Sequence, residues 1–169
     1  MSEQRAIAAL DDLDLPYVIT RHGRVGSLAE AAATRGVEPR DIIKTLVVRR
    51  AEDDYVLVLV PGDREISWPK LRAHLGVNRL SMPDAAKALE ATGYERGTIT
   101  PFGASPDPAM RVVARHTTGQ AWPTIADASI LGRAVSMGAG AHGVAVTVDA
   151  DAMIAALDAD ISDVTDPIV

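Results

Sequence analysis

The segment IIKTLVVRRAEDDYVLVLVP, residues 42–61, decides the fold class. Two apolar, β-branched runs, IIKTLVVRR and YVLVLVP, flank the polar AEDD. Side chains alternate across a strand, so a run that is apolar at nearly every position buries both faces. The polar gap reads as the turn of a β-hairpin. A hairpin covered on both sides needs helices, and the surrounding sequence supplies them. Ser2 to Leu13 reads as an amphipathic helix with Ile7, Leu10 and Leu13 on one side. Ser27-Leu28-Ala29-Glu30 matches a capping box, and Gly36 stops that helix. Ser67 caps a third helix with Pro69 in its first turn, ending at Gly76. Pro83 to Thr92 forms a fourth, closed by Gly93, and Asp149 caps a last one, about Ala150 to Leu157. Further short strands are expected at PYVIT (16–20), VNRLSM (77–82), MRVVA (110–114), AVSM (134–137) and VAVTV (144–148). Hairpins mixed with helices, rather than strict βαβ alternation, predict an α/β (α+β) fold around a mixed sheet.

The chain has 169 residues, 47% hydrophobic and 24% charged, which suits one domain with a proper core. The reading is therefore a single domain over 1–169. No apolar run approaches the roughly 20 residues of a membrane span, and the N-terminus lacks a signal-peptide core. Cysteine is absent, so disulfides, thiolate metal sites and a cysteine nucleophile are excluded. A cytoplasmic location without membrane attachment is the expectation. With 17 basic and 23 acidic residues the net charge is −6, which argues against a generic DNA or RNA binder. From Ala134 onward there is no Lys or Arg, while Asp occurs at 149, 151, 158, 160, 163 and 166. A polyanion would dock on the surface built by earlier residues, with Arg21, Arg24, Lys44 and Arg49 or Arg50 as its expected contacts.

Three stretches carry candidate chemistry. GYERGTITPFGAS, Gly93 to Ser105, is dense in glycine and proline, which points to a backbone held in a set shape. SMGAGAHG, Ser136 to Gly143, fits G-x-G-x-x-G but lies between two short strands, the wrong setting for a dinucleotide site. Its glycines either let the backbone approach a ligand or simply form a turn. Lys44, one of three lysines beside 14 arginines, interrupts an apolar strand. Either its head sits in a pocket at the strand's open end or it points to solvent from an edge; Thr45 faces the other side. The four histidines, at 22, 74, 116 and 142, lack metal-ligand spacing, and no cofactor is expected.

Together, IIKTLVV, GYERGTITPFG and VSMGAGAHG resemble the YbaK/prolyl-tRNA synthetase-associated editing-domain family, over roughly Arg24 to Leu157. The resemblance implies a curved mixed β-sheet packed by helices. It implies a free-standing trans-editing hydrolase that removes a small wrong amino acid, such as Ala, Cys, Ser or Thr, from tRNA for proline. By position, Lys44 matches the family's functional lysine, and Gly97 and Pro101 match its Gly-x-x-x-Pro oxyanion-side loop. Thr45, Thr98, Ser136, Gly138, Gly140, His142 and Gly143 are then expected to shape or contact the substrate pocket. The implied partners are the 3′ acceptor end of an aminoacyl-tRNA and a synthetase. An activated ester needs a positioned water and donors aimed at the oxyanion rather than a side-chain nucleophile. The alternative is a module of the same fold that binds an aminoacyl-tRNA end or a synthetase without turnover. An esterase acting on small esters is a third reading.

Overall fold

The computed structural model describes residues 2–23, 26–106 and 122–168. In chain order the elements are α1 (Ser2–Asp12), β1 (Val18–Arg21), α2 (Leu28–Arg35), β2 (Ile42–Ala51), β3 (Asp54–Pro61), β4 (Arg64–Ile66), α3 (Trp68–Leu75), α4 (Ala85–Thr92), β5 (Thr124–Asp127), β6 (Ala134–Gly138), β7 (Val144–Asp149), α5 (Ala150–Leu157), β8 (Asp160–Ser162) and β9 (Thr165–Pro167). Seven strands form one mixed sheet in the order β1-β7-β6-β2-β3-β5-β8, and β4 and β9 pair separately.

The hairpin at 42–61 is the centre of this sheet. β2 and β3 pair antiparallel from Ile43↔Pro61 to Ala51↔Asp54, with a bulge between Arg49 and Ala51. Asp53 takes the positive φ that the tight turn demands. Tyr55 through Val60 are all buried, as the unbroken apolar run requires. One face of the hairpin carries Ile43, Val47, Leu57 and Leu59 into a core completed by α1, α4 and α5. The other carries Val48, Val56, Val58 and Val60 against Leu71 of α3. Ala31 and Ala32 of α2 cover Ile42 on that same side.

The expected helix signals act at the expected places. Ser27 Oγ accepts from Glu30 N–H, and Gly36 closes α2 at φ 71. Ser67 Oγ accepts from Lys70 N–H, and Gly76 closes α3. α4 begins two residues later than Pro83, because Asp84 is its cap, and Asp149 caps α5. In α1 the buried residues are Ala6 and Leu10, while Ile7, and Leu13 just beyond the helix, are only half-buried. VNRLSM is not a strand. It makes one bridge, Ser81↔Arg49, and most of its residues are exposed, so its alternation has no surface to bury. The expected strand at 110–114 lies outside the described residues. β4, β5, β8 and β9 are strands that the sequence pattern does not predict.

Candidate functional site

β6 and β2 run parallel but are in register as a ladder only at Ile42↔Ser136 and Ile43↔Met137. Beyond those pairs β2 continues into the central hairpin, whereas β6 ends at Gly138 and turns into the glycine loop. The two strands splay at their carboxyl ends, where open α/β sheets place their ligand crevices. A cleft of about 650 Å³ fills the gap. One wall is β2 from Ile42 to Val47, another is Met82–Ala85 and Ala88, and the third is Arg96, Gly97, Ile99 and Gly138.

Lys44 is the first residue of β2 beyond its pairing with β6. It shares a strand face with Ile42 and Leu46 and is half-buried. Its ammonium donates to Arg64 O at 3.1 Å, which uses one of three N–H groups. Thr45, on the opposite face, has its Oγ1 buried with no hydrogen-bond partner. Both residues line the cleft.

The loop after α4 is braced from below. Arg5 of α1 lies over the Tyr94 ring, 4.3 Å from its centroid, and donates to Thr92 O at 2.8 Å. Tyr94 is fully buried, and burial pushes its hydroxyl above the usual phenol range. It therefore stays a donor, and Phe102 O accepts from it. Thr98 joins the two glycine loops. Its N–H and Oγ1 both donate to Glu95 O, at 2.9 and 2.8 Å, and its carbonyl accepts from Gly140 N–H at 3.1 Å. Gly97 holds φ +88, and a Cβ there would stand 3.5 Å from His142 Cε1. Among the described residues neither Gly97 N–H nor Ile99 N–H has an internal acceptor, and both residues line the cleft.

Of the expected site residues, Lys44, Thr45, Gly97 and Gly138 meet in the cleft wall. Pro101, at the end of the Gly97 loop, is buried and is not among the cleft-lining residues. Thr98 is 2% exposed, with its hydroxyl committed to the loop. Gly140 and Gly143 both have positive φ, and Gly143 O accepts from His22 N–H at 2.8 Å, tying the second loop to the end of β1. His142 is exposed, covers Gly97 from outside and lies 3.7 Å from Glu95. Ser136 is buried beside Arg35. Arg35, Arg96 and Asp84 were missed by sequence reasoning. They sit in ordinary helix and loop contexts with no local signal of their own.

The lining holds three cations, Arg35, Lys44 and Arg96, against one carboxylate, Asp84. Asp84 is engaged at the N-terminus of α4, where it accepts from Lys87 N–H at 2.8 Å. A cationic cleft in a chain of net charge −6 focuses an anion onto one place. The basic face expected around Arg21 and Arg49 is divided. Arg21 lies on edge strand β1 and pairs with Glu3, while β7 and β6 separate it from β2. Arg49 and Arg50 instead join Arg72 and Arg79 around a second concavity of about 530 Å³. A smaller hollow shares Arg49 and Ser81 with it and Met82 to Asp84 with the cleft, so the three are contiguous. Arg24 lies outside the described residues.

The family model for the aminoacyl-tRNA editing domain matches residues 22–156. The chain belongs to this family. Curated relatives of the editing domain include the proline–tRNA ligase of Thermosipho africanus, 39% identical over 92 residues, or 54% of this chain and 16% of the ligase. That of Bacillus velezensis is 32% identical over 117 residues, 66% of this chain and 19% of the ligase. The uncharacterized protein YwhH of Bacillus subtilis is 36% identical over 85 residues, 50% of this chain and 53% of YwhH. The chain thus spans under a fifth of the ligases it matches and about half of YwhH. A solved structure of a proposed trans-editing enzyme for prolyl-tRNA synthetase superposes with a TM-score of 0.79 at 22% identity, covering 98% of this chain and 97% of the other. A hypothetical protein gives 0.80 at 22% identity, covering 96% and 99%. These two share the fold. No helix among the described residues is long and apolar enough to cross a membrane.

Proposed function

We propose that the chain is a deacylase that hydrolyses the ester of mischarged aminoacyl-tRNA in trans, with tRNA for proline carrying a small wrong amino acid as its substrate. The observation that carries this reading is the cationic cleft at the β2/β6 splay, where Lys44, the Gly97 loop and Gly138 converge. The terminal adenosine and its aminoacyl group enter the cleft. Water adds to the ester carbonyl, and the oxyanion takes hydrogen bonds from the Gly97 and Ile99 amides. The bond to the ribose oxygen then breaks, giving the free amino acid and an uncharged terminal ribose. The neighbouring ribose hydroxyl positions the water or relays its proton. The spare donors of Lys44 hold the ester as a compact point charge. The arginine concavity beside the cleft suits the phosphates that follow the terminal nucleotide.

The relatives named as proline–tRNA ligases support the choice of tRNA, and the cleft volume supports a small aminoacyl group next to an adenosine. The test is deacylation of tRNA for proline charged with Ala, Ser, Cys, Thr or Pro, at protein well below tRNA. Multiple turnovers on one or more small wrong amino acids, with the Pro ester spared, are expected. Binding that protects the ester without turnover would overturn catalysis in favour of a binding module. Equal hydrolysis of small esters without tRNA would overturn the substrate class.

A further inference from the structure

Arg35 ends α2 and lines the cleft, yet no carboxylate pairs with it among the described residues. Among the described residues its one hydrogen bond is long, Nη1 to Ser136 Oγ at 3.4 Å, and its Nε is shielded from solvent without an acceptor. Burial without a counter-charge lowers its pKa from the usual guanidinium value, and no other cause offsets that. A desolvated cation is costly unless an anion completes it. The guanidinium fork is suited to a planar pair of oxygens, as in a phosphate or carboxylate.

The chemistry of the substrate narrows the anion. In an aminoacyl ester the amino acid has no free carboxylate, and adenosine carries no charge. The anion nearest the ester is the phosphodiester on the 5′ oxygen of the terminal adenosine. We propose that Arg35 is the phosphate-binding residue of the cleft, taking that phosphodiester through its fork while Ser136 holds the guanidinium in place. This rests on reading the cleft as the site for the acceptor end. It also divides the labour between the two half-buried cations. Arg35 anchors the nucleotide, and Lys44, already oriented by Arg64 O, is left for the ester.

The test compares binding of adenosine 5′-monophosphate, adenosine and L-alanine to the parent, Arg35→Met and Arg35→Lys by calorimetry, with thermal melts of each protein. The parent is expected to bind the monophosphate about tenfold or more tightly than adenosine, the scale of one charge-assisted pair. Arg35→Met loses that preference but keeps adenosine binding, and melts no lower than the parent because an uncompensated charge is gone. Arg35→Lys keeps part of the preference, and a folded Arg35→Lys carries the test if Arg35→Met does not fold. With mischarged tRNA, Arg35→Met raises KM far more than it lowers kcat. Equal affinity of the parent for monophosphate and adenosine overturns the proposal, as does a preference that survives Arg35→Met. Arg35-dependent binding of L-alanine without monophosphate preference assigns the residue to the product carboxylate and also overturns it. If the parent prefers the monophosphate through Arg35 but hydrolyses no mischarged tRNA, the proposed function fails and this site stands. If it hydrolyses mischarged tRNA without that preference, this site fails alone.

Discussion

Replacing Gly97 with alanine separates the role of the loop's shape from the stability of the fold. Gly97 sits at φ +88, and its missing Cβ would lie 3.5 Å from His142 Cε1, an ordinary contact. Steric clash is therefore not the cost. The cost is backbone strain, about 1–2 kcal/mol for an L-residue held in the left-handed region. For a chain of this length each kcal/mol lowers Tm by about 2–4 °C, so a drop of about 2–8 °C is expected. Such a loss is small beside the roughly 5–15 kcal/mol of a typical domain, and the protein stays folded at assay temperature. If the strain is relieved by rotating the 97–99 peptides, the Gly97 and Ile99 amides are turned away from the oxyanion contacts proposed for them. Losing one such donor costs about 10²–10³ in rate. Gly97→Ala should thus show a modest shift in melting and a large fall in single-turnover deacylation of mischarged tRNA, and Gly97→Val, β-branched at positive φ, a larger fall still. Near-parent deacylation by both variants, with Tm lowered as calculated, would refute the oxyanion role of this loop.

Gly143→Ala should instead damage the fold, because its φ is +76 and a Cβ would meet His22 O at 2.5 Å; a Tm loss of about 10 °C, from roughly 3 kcal/mol or more of strain and clash, is expected by calorimetry. Tyr94→Phe removes the donor to Phe102 O beneath the Gly97 loop, and should cost about 1–2 kcal/mol in chemical denaturation and slow deacylation several-fold. An unchanged denaturation midpoint would show that the brace is idle. If Arg35, Arg49, Arg72 and Arg79 contact phosphates, log(kcat/KM) at subsaturating tRNA should fall against log salt with a slope of about −3, and Arg79→Ala should reduce that slope by about 0.7. Charge reversal at the exposed Asp151 and Asp158 of the acidic end should leave the slope unchanged.

What the sequence made legible follows from how local each signal is. The hairpin at 42–61 and the helix caps at Ser27, Ser67 and Asp149 are written within a few residues of where they act, and they stand where expected. β4, β8 and β9 span three residues each, too short for periodicity, and are strands only because partners distant in sequence pair with them. VNRLSM misled because its alternation has no core to face. In the site, Lys44 stood out as a charge in an apolar run, and the glycines at 97 and 138 stood out by density. Arg35 and Asp84 did not. Their distinction is a buried Nε without an acceptor in one case and a cleft-side helix cap in the other, and both arise only once α2 and α4 flank the β2/β6 splay. Thr98 and His142 shape the loops from behind and outside, a division that linear spacing does not encode.

The central claim, that the splay cleft is the hydrolytic site and Lys44 its working cation, is tested most directly by single-turnover deacylation of alanyl-tRNA for proline with Lys44→Ala and Lys44→Arg, melted alongside the parent. Lys44→Ala should lose about 100-fold or more, about 3 kcal/mol of transition-state stabilisation. Lys44→Arg should also lose activity, since a planar fork cannot take the place of an ammonium donating to Arg64 O. Both should melt within a few degrees of the parent. Near-parent rates in both variants, or loss of activity only together with a collapse in Tm, would contradict the account.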